Sequence, residues 1–319
     1  MKLNKFFELI NISSLFSNLI PIIIGTMYCI ITFEKFDGVD FFLFSAGLIF
    51  LEASIYGISN FVKIRNARKL GYKKTFEDIY EMSDTAGKTS ISLILLMMVI
   101  FSLLLTINSG FTVFFAMIFL FFLFLRSTYK NIYYRFSISK ITLSAFITFL
   151  VMFMSIYIHA GSIFFVNMAI SDSILILQIY IKELAGIFLL AMPIVLLQIS
   201  VHLADDLCNS KKRYNKNFSI TKTIGERKIL IAIGAVQLSA YVFIILLVLF
   251  DYVSSVYLIS LLSYFGLYSN FKDFSLNRKG RCGVATIQES ALMMDAGILI
   301  AFIIIGLLHN FQNYTGSPF

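Results

Sequence analysis

The chain has no Trp, only 3 Pro in 319 residues, and few charges: Asp, Glu, Lys and Arg make up 14% of it. So little charge, against 59% hydrophobic residues and a mean hydropathy of +0.86, excludes a soluble globular domain, which could not hide that much apolar surface. Cysteine and histidine are sparse too. Cys29, Cys208 and Cys282 fall in different segments without a CxxC pair, and His159, His202 and His309 are equally scattered. Neither set has the spacing of a zinc site, and free thiols are the expected state of the cysteines. There is no heptad pattern, no low-complexity linker and no second soluble domain, so residues 1–319 read as a single transmembrane domain.

What is present is apolar sequence in blocks of about 20 residues, the length that crosses about 30 Å of hydrocarbon. The blocks run approximately 15–33, 41–61, 90–107, 111–125, 141–160, 181–203, 229–250, 253–269 and 292–308. Two of them, 111–125 and 253–269, are short and need tilt or flanking aromatics to span. Block 15–33 lacks a small-residue cleavage site and reads as a retained first helix. The expectation is an all-α membrane protein with nine transmembrane helices.

Charge tests that count. With a cytoplasmic N-terminus, every one of the 26 Lys and Arg except Lys35 and Lys182 falls on the inner side. The outer connections, such as 34–40 and 107–110, are short and acidic or neutral, and the uncharged C-terminal tail is outside. This is the positive-inside pattern. The net charge of +8 then follows from topology and contact with anionic lipid headgroups, with no nucleic-acid partner required. The long inner loops are where a site is expected. One of them holds TFEDIYEMSD (75–84), which reads as a short amphipathic surface helix.

Two inner stretches carry the polar chemistry. Leu203–Lys228 (LADDLCNSKKRYNKNFSITKTIGERK) leaves a long apolar block, and Tyr56–Lys74 (YGISNFVKIRNARKLGYKK) leaves an earlier one in the same way. Both read as loops capping one cavity. Within the spans, Glu52 is costly in hydrocarbon, by about 2.5–3.5 kcal/mol, and is expected to face the bundle interior. It serves either as a substrate or proton contact or as an interhelical hydrogen-bonding group. Gln198 and His202, four apart, share a helical face leading to Asp205 and Asp206 and are expected to line the same cavity. Asp295, in the last block, is expected to reach the interface.

FFELINISSLFSNLIPIIIGTMYCI (6–30), with Pro21 and Gly25, resembles the opening of UbiA-type intramembrane prenyltransferases, most of all the menaquinone branch, the 1,4-dihydroxy-2-naphthoate polyprenyltransferases. The second polar stretch resembles the aspartate-rich second loop of that family through Leu203, Ala204, Cys208, Asn217, Ile224 and Gly225. The first is similar to its first motif through Asn60, Asn66 and Ala67. The resemblance implies a UbiA-like bundle and transfer of a polyprenyl group from its diphosphate to an aromatic quinone precursor. It also implies Mg2+ held by aspartates of the two motifs.

At the matching positions this chain has Ser59, Lys63, Asn209 and Arg213, so the expected carboxylates are missing. Asp205 and Asp206 remain as candidate metal ligands. Asp205 lies one turn, about 5 Å, from the usual place. Pairing of either with Lys63, Lys211 or Lys212 is the alternative. Asn60, Lys63, Arg65, Asn209, Lys211, Lys212 and Arg213 are the candidates for holding a diphosphate directly. Two functions follow. One is a prenyltransferase of this type. The other is a catalytically degenerate relative that binds a quinone-like or polyprenyl lipid, or that partners an active prenyltransferase.

Overall fold

A computed structural model describes residues 12–69, 92–94, 96–98, 100–101, 137–164, 166–171, 174–209, 219–276 and 281–315. Their elements are helices α1 (Ile12–Phe33), α2 (Gly38–Lys69) and α3 (Ser137–Phe164), strands β1 (Val166–Ser171) and β2 (Ile174–Ile179), and helices α4 (Ile181–Asn209), α5 (Ile220–Ile224) and α6 (Glu226–Leu249). A 3-10 helix (Ser255–Leu262), α7 (Ser263–Leu276) and α8 (Arg281–Thr315) follow. Among the described residues, four segments are long and apolar enough to cross a membrane: Ile141–Ala160, Ile181–Cys208, Glu226–Leu249 and Val284–His309. Leu19–Phe33 and Gly38–Leu51 are shorter apolar helices. Outward-facing Ile231, Leu249 and Phe265 are well exposed, as side chains solvated by lipid are. The chain is a multi-pass membrane protein. The segments 75–84 and 111–125 lie outside the described residues.

The chain divides into two compact units, residues 1–22 with 37–130, and residues 23–36 with 131–319. In the first, Asp37 caps α2: its Oδ1 accepts hydrogen bonds from the backbone N–H of Val39 (2.8 Å) and Asp40 (3.1 Å), satisfying donors that the first turn leaves open. Gly47 lets α2 lie against the Phe101 ring, where a Cβ would come within 3.0 Å of it. At 1.5 Å per residue, the 32 residues of α2 span about 48 Å, well beyond a hydrocarbon core. The helix thus carries its basic end, including Lys63 and Arg65, out of the apolar layer. Tyr56–Lys69 is therefore helix, not the loop its polarity suggests. No Pro or Gly interrupts it after Gly57, and Lys, Arg and Ala are good helix formers.

The second unit is a bundle around α4, which packs on α3, α6 and α8. The end of α1 joins it where Gly25 meets Ser155 and Met152 of α3 with no room for a side chain. This is the small-residue contact by which membrane helices approach closely. Near the C-terminal end of α4, Leu203, Ala204 and Leu207 share one apolar cluster with Ile220, Ile229, Ile233, Phe274 and Ile287. Elsewhere in the unit, Tyr28, Tyr257 and Phe302 form an aromatic group, with ring centroids 6.5 Å and 5.2 Å from Phe302. Glu34, just after α1, lies 3.7 Å from His309 of α8, so these two helices end at the same face of the bundle.

Two features of this unit depart from an all-α reading. β1 and β2 form an antiparallel hairpin, Val166 opposite Ile179 and Ser171 opposite Ile174, between α3 and α4. The short block 253–269 is not one α-helix either. It begins as eight residues of 3-10 helix and continues as α7. A 3-10 helix rises about 2.0 Å per residue, so the 3-10 segment and α7 together extend about 37 Å.

Candidate functional site

Gln198, His202, Asp205 and Asp206 follow one another along the last turns of α4, which closes at Asn209. The polar run LADDLCN is thus helical, and the non-helical part of the second stretch begins only after it. Gln198, His202 and Asp205 are half-buried, whereas Asp206 is 2% exposed. The His202 ring joins α4 to α3: its Nε2 lies 2.7 Å from Ser144 Oγ. That bond fixes the orientation of the imidazole on the face shared with Gln198.

Asp206 is tied to the far end of the stretch. Its Oδ2 accepts hydrogen bonds from Ser219 Oγ (2.8 Å), Thr221 Oγ1 (2.9 Å) and the backbone N–H of Thr221 (3.0 Å). The carboxylate therefore caps α5, a five-residue helix whose own Ser219 makes no side-chain cap bond. Ser219, Ile220 and Thr221 are buried with it. Gly225 then lets the chain turn from α5 into α6, at φ 99, a backbone angle that disfavours any residue with a Cβ.

The other named residues are placed less fully. Ser59, Asn60, Lys63 and Arg65 lie on α2 near its C-terminal end, and Glu52 lies further back on the same helix. Their side chains, and that of Asn209, are outside the description. Lys211, Lys212 and Arg213 lie outside the described residues.

The implied Mg2+ can be tested against the donors at the second stretch. An Mg2+ ion demands oxygen ligands in nearly ideal octahedral geometry. Asp206 Oδ2 already faces three hydrogen-bond donors in a buried pocket. Among the described residues, no three His, Cys, Asp or Glu side chains gather to hold an ion. The described part of this stretch does not fit a carboxylate-held Mg2+. Its geometry serves a cap.

Sequence reasoning misplaced one polar group deeper in the second unit, Asp295, and did not single out two others, Tyr257 and Gln237. Asp295 does not reach the interface: it is 5% exposed, and its Oδ1 has no hydrogen-bond partner. Tyr257 in the 3-10 segment and Gln237 in α6 are fully buried, and the Tyr257 hydroxyl and both Gln237 amide atoms are also unpartnered. The available signal was a single acidic or amide residue inside an apolar run, LMMDAGIL and GAVQLSA.

No family model matches the sequence, and no curated protein matches it either. Solved structures do. A structure of a digeranylgeranylglyceryl phosphate synthase superposes with a TM-score of 0.61 at 16% identity, covering 95% of this chain and 98% of that one. The chain has a UbiA-like fold. The apo structure of a UbiA homolog from Aeropyrum pernix K1 agrees, with a TM-score of 0.58 at 11% identity over 89% of this chain and 97% of its own. The UbiA-like scaffold runs through nearly the whole chain, and the helical bundle described above is that scaffold.

Proposed function

We propose that this protein is a UbiA-like intramembrane prenyltransferase. In this reading it binds a polyprenyl diphosphate and transfers the polyprenyl group to an aromatic quinone precursor of the kind used in menaquinone synthesis. The observation that carries the reading is similarity to two UbiA-type structures over 95% and 89% of this chain. The basic run Lys211, Lys212 and Arg213 lies in the segment between α4 and the Asp206-capped α5. Lys and Arg bind diphosphate oxygens through charge-assisted hydrogen bonds and offset the charge of a departing diphosphate. Lys63 and Arg65 carry the same chemistry on α2, and Asn60 adds a neutral amide donor. Gln198 and His202 offer polar contacts to the acceptor. The N-terminus and the basic segments are placed in the cytoplasm, and the C-terminus outside.

The engagement of Asp206 by three donors favours a second reading, a relative that holds a polyprenyl or quinone-like lipid, or an active prenyltransferase, without turnover. One experiment separates them. Purified protein in nanodiscs is given allylic diphosphates of several chain lengths and a dihydroxynaphthoate acceptor, with Mg2+, Mn2+ or EDTA. A prenylated product supports transfer. Absence of product with every donor and metal, together with a polyprenyl or quinone-like lipid in the extracted protein, supports the second reading. Absence of product, of a copurifying lipid and of a copurifying prenyltransferase overturns both.

A further inference from the structure

The hairpin is the one described element that is not helical. Phe164 closes α3 and Val166 opens β1, while β2 ends at Ile179 and α4 opens at Ile181. The hairpin therefore stands at the shared end of two membrane spans, where the chain leaves hydrocarbon and returns to it. Apart from α3, from which it leads, neither strand packs broadly on another described element. Facing residues of an antiparallel pair share one side of the sheet, and the next pair takes the other. The register puts the pairs Val166–Ile179, Met168–Leu177 and Ile170–Leu175 on one side. Every position on that side is apolar. The other side has the pairs Asn167–Gln178, Ala169–Ile176 and Ser171–Ile174, half of them polar positions. Neither strand contains a charged residue.

A two-stranded hairpin alone in water is marginal, so the apolar side needs a cover. The sheet has two strands, and no described strand pairs with either outer edge. Open edges exclude the hydrocarbon core, where nothing would satisfy their backbone N–H and C=O groups. The headgroup boundary meets both demands: acyl chains cover one side, and water reaches the edges and the other side. The neighbouring chain agrees. Tyr180 and Ile181, which follow β2 directly, are exposed, as is Phe188 one to two turns into α4. These are side chains solvated by lipid, and Tyr is a residue of the membrane–water interface. The apolar side of the hairpin continues that surface in sequence.

We propose that β1 and β2 form an interfacial membrane anchor. The side with Val166, Met168, Ile170, Leu175, Leu177 and Ile179 lies on lipid at the boundary of headgroups and acyl chains, and the side with Asn167 and Gln178 lies toward water. The anchor is independent of the prenyl-transfer reading. Full-length protein with Cys29, Cys208 and Cys282 replaced by Ser is given one cysteine at a time, by Asn167→Cys, Met168→Cys, Leu177→Cys or Gln178→Cys. Each is spin-labelled and reconstituted in vesicles of phosphatidylcholine and phosphatidylglycerol, with a water-soluble nickel chelate on both sides. The expected result is alternation. Labels at 168 and 177 collide with oxygen, which concentrates in lipid, and lose contact with the chelate, whereas labels at 167 and 178 show the reverse. Equal chelate contact at all four positions overturns the proposal. So does shielding of 168 and 177 from both reagents, the mark of a side packed on the bundle. Dipolar broadening at 168 or 177 that vanishes on dilution with unlabelled protein assigns the side to a second copy and also overturns it. Should one label prevent a monodisperse protein, its cross-strand partner reads the same side.

Discussion

At the scale of single residues, what matters is where each carboxylate spends its lone pairs. Asp205 and Asp206 are neighbours in sequence, yet one is half-buried and the other is 2% exposed under three hydrogen bonds. Asp206→Ala removes the acceptor and leaves buried donors on Ser219 and Thr221, a loss on the order of 3 kcal/mol. Asp206→Asn keeps one acceptor oxygen and is expected to lose less. Because the chain has no Trp, the comparison is best made by heating followed by size exclusion, with the midpoint falling in the order wild type, Asn, Ala. Equal midpoints for all three would contradict the cap. None of this was legible in LADDLCN, because the partners of Asp206 are 13 and 15 residues away across another segment.

At the scale of elements, three glycines make different predictions for the same change. Gly25 has no space for a Cβ between α1 and α3, so Gly25→Ala must push Ser155 or separate the helices and is expected to lower the thermal midpoint clearly. Gly225 has open space around it but φ 99, so Gly225→Ala is expected to cost about 1 kcal/mol through the backbone alone. Gly306 has open space and no such angle, and Gly306→Ala is expected to stabilise by about 0.5–1 kcal/mol by limiting the unfolded chain. The same heating assay ranks them, and a reversed order for Gly25 and Gly306 would refute the packing argument. The apolar runs that became α1, α3, α4, α6 and α8 were plain in the sequence, since hydrocarbon length and hydropathy specify them. The 3-10 start of block 253–269 and the hairpin at 166–179 were not. Winding and strand pairing depend on neighbours that hydropathy does not encode.

At the scale of the whole molecule, the distribution of Lys and Arg predicts sidedness. Once Cys29, Cys208 and Cys282 are replaced by Ser, a cysteine at Ser83 is expected to react with a membrane-impermeant thiol reagent only after the membrane is opened. One at Gly110 is expected to react in intact cells. The opposite pattern would invert the topology and every loop assignment with it. The UbiA-like fold was also visible in scattered words, Pro21 with Gly25 and Ile224 with Gly225, because each pair holds a glycine that meets a backbone need. Gly25 permits a close helix contact, and Gly225 supplies a left-handed turn.

The sequence by itself settled that this chain lives in a membrane as a bundle of helices, because transfer of apolar side chains out of water is additive along the chain and needs no knowledge of partners. Only the tertiary structure decided what its acidic groups do. Asp206 became a cap and Asp295 a buried group with an orphaned oxygen, since the energy of a carboxylate is set by the few atoms that surround it in space, and those come from distant parts of the chain.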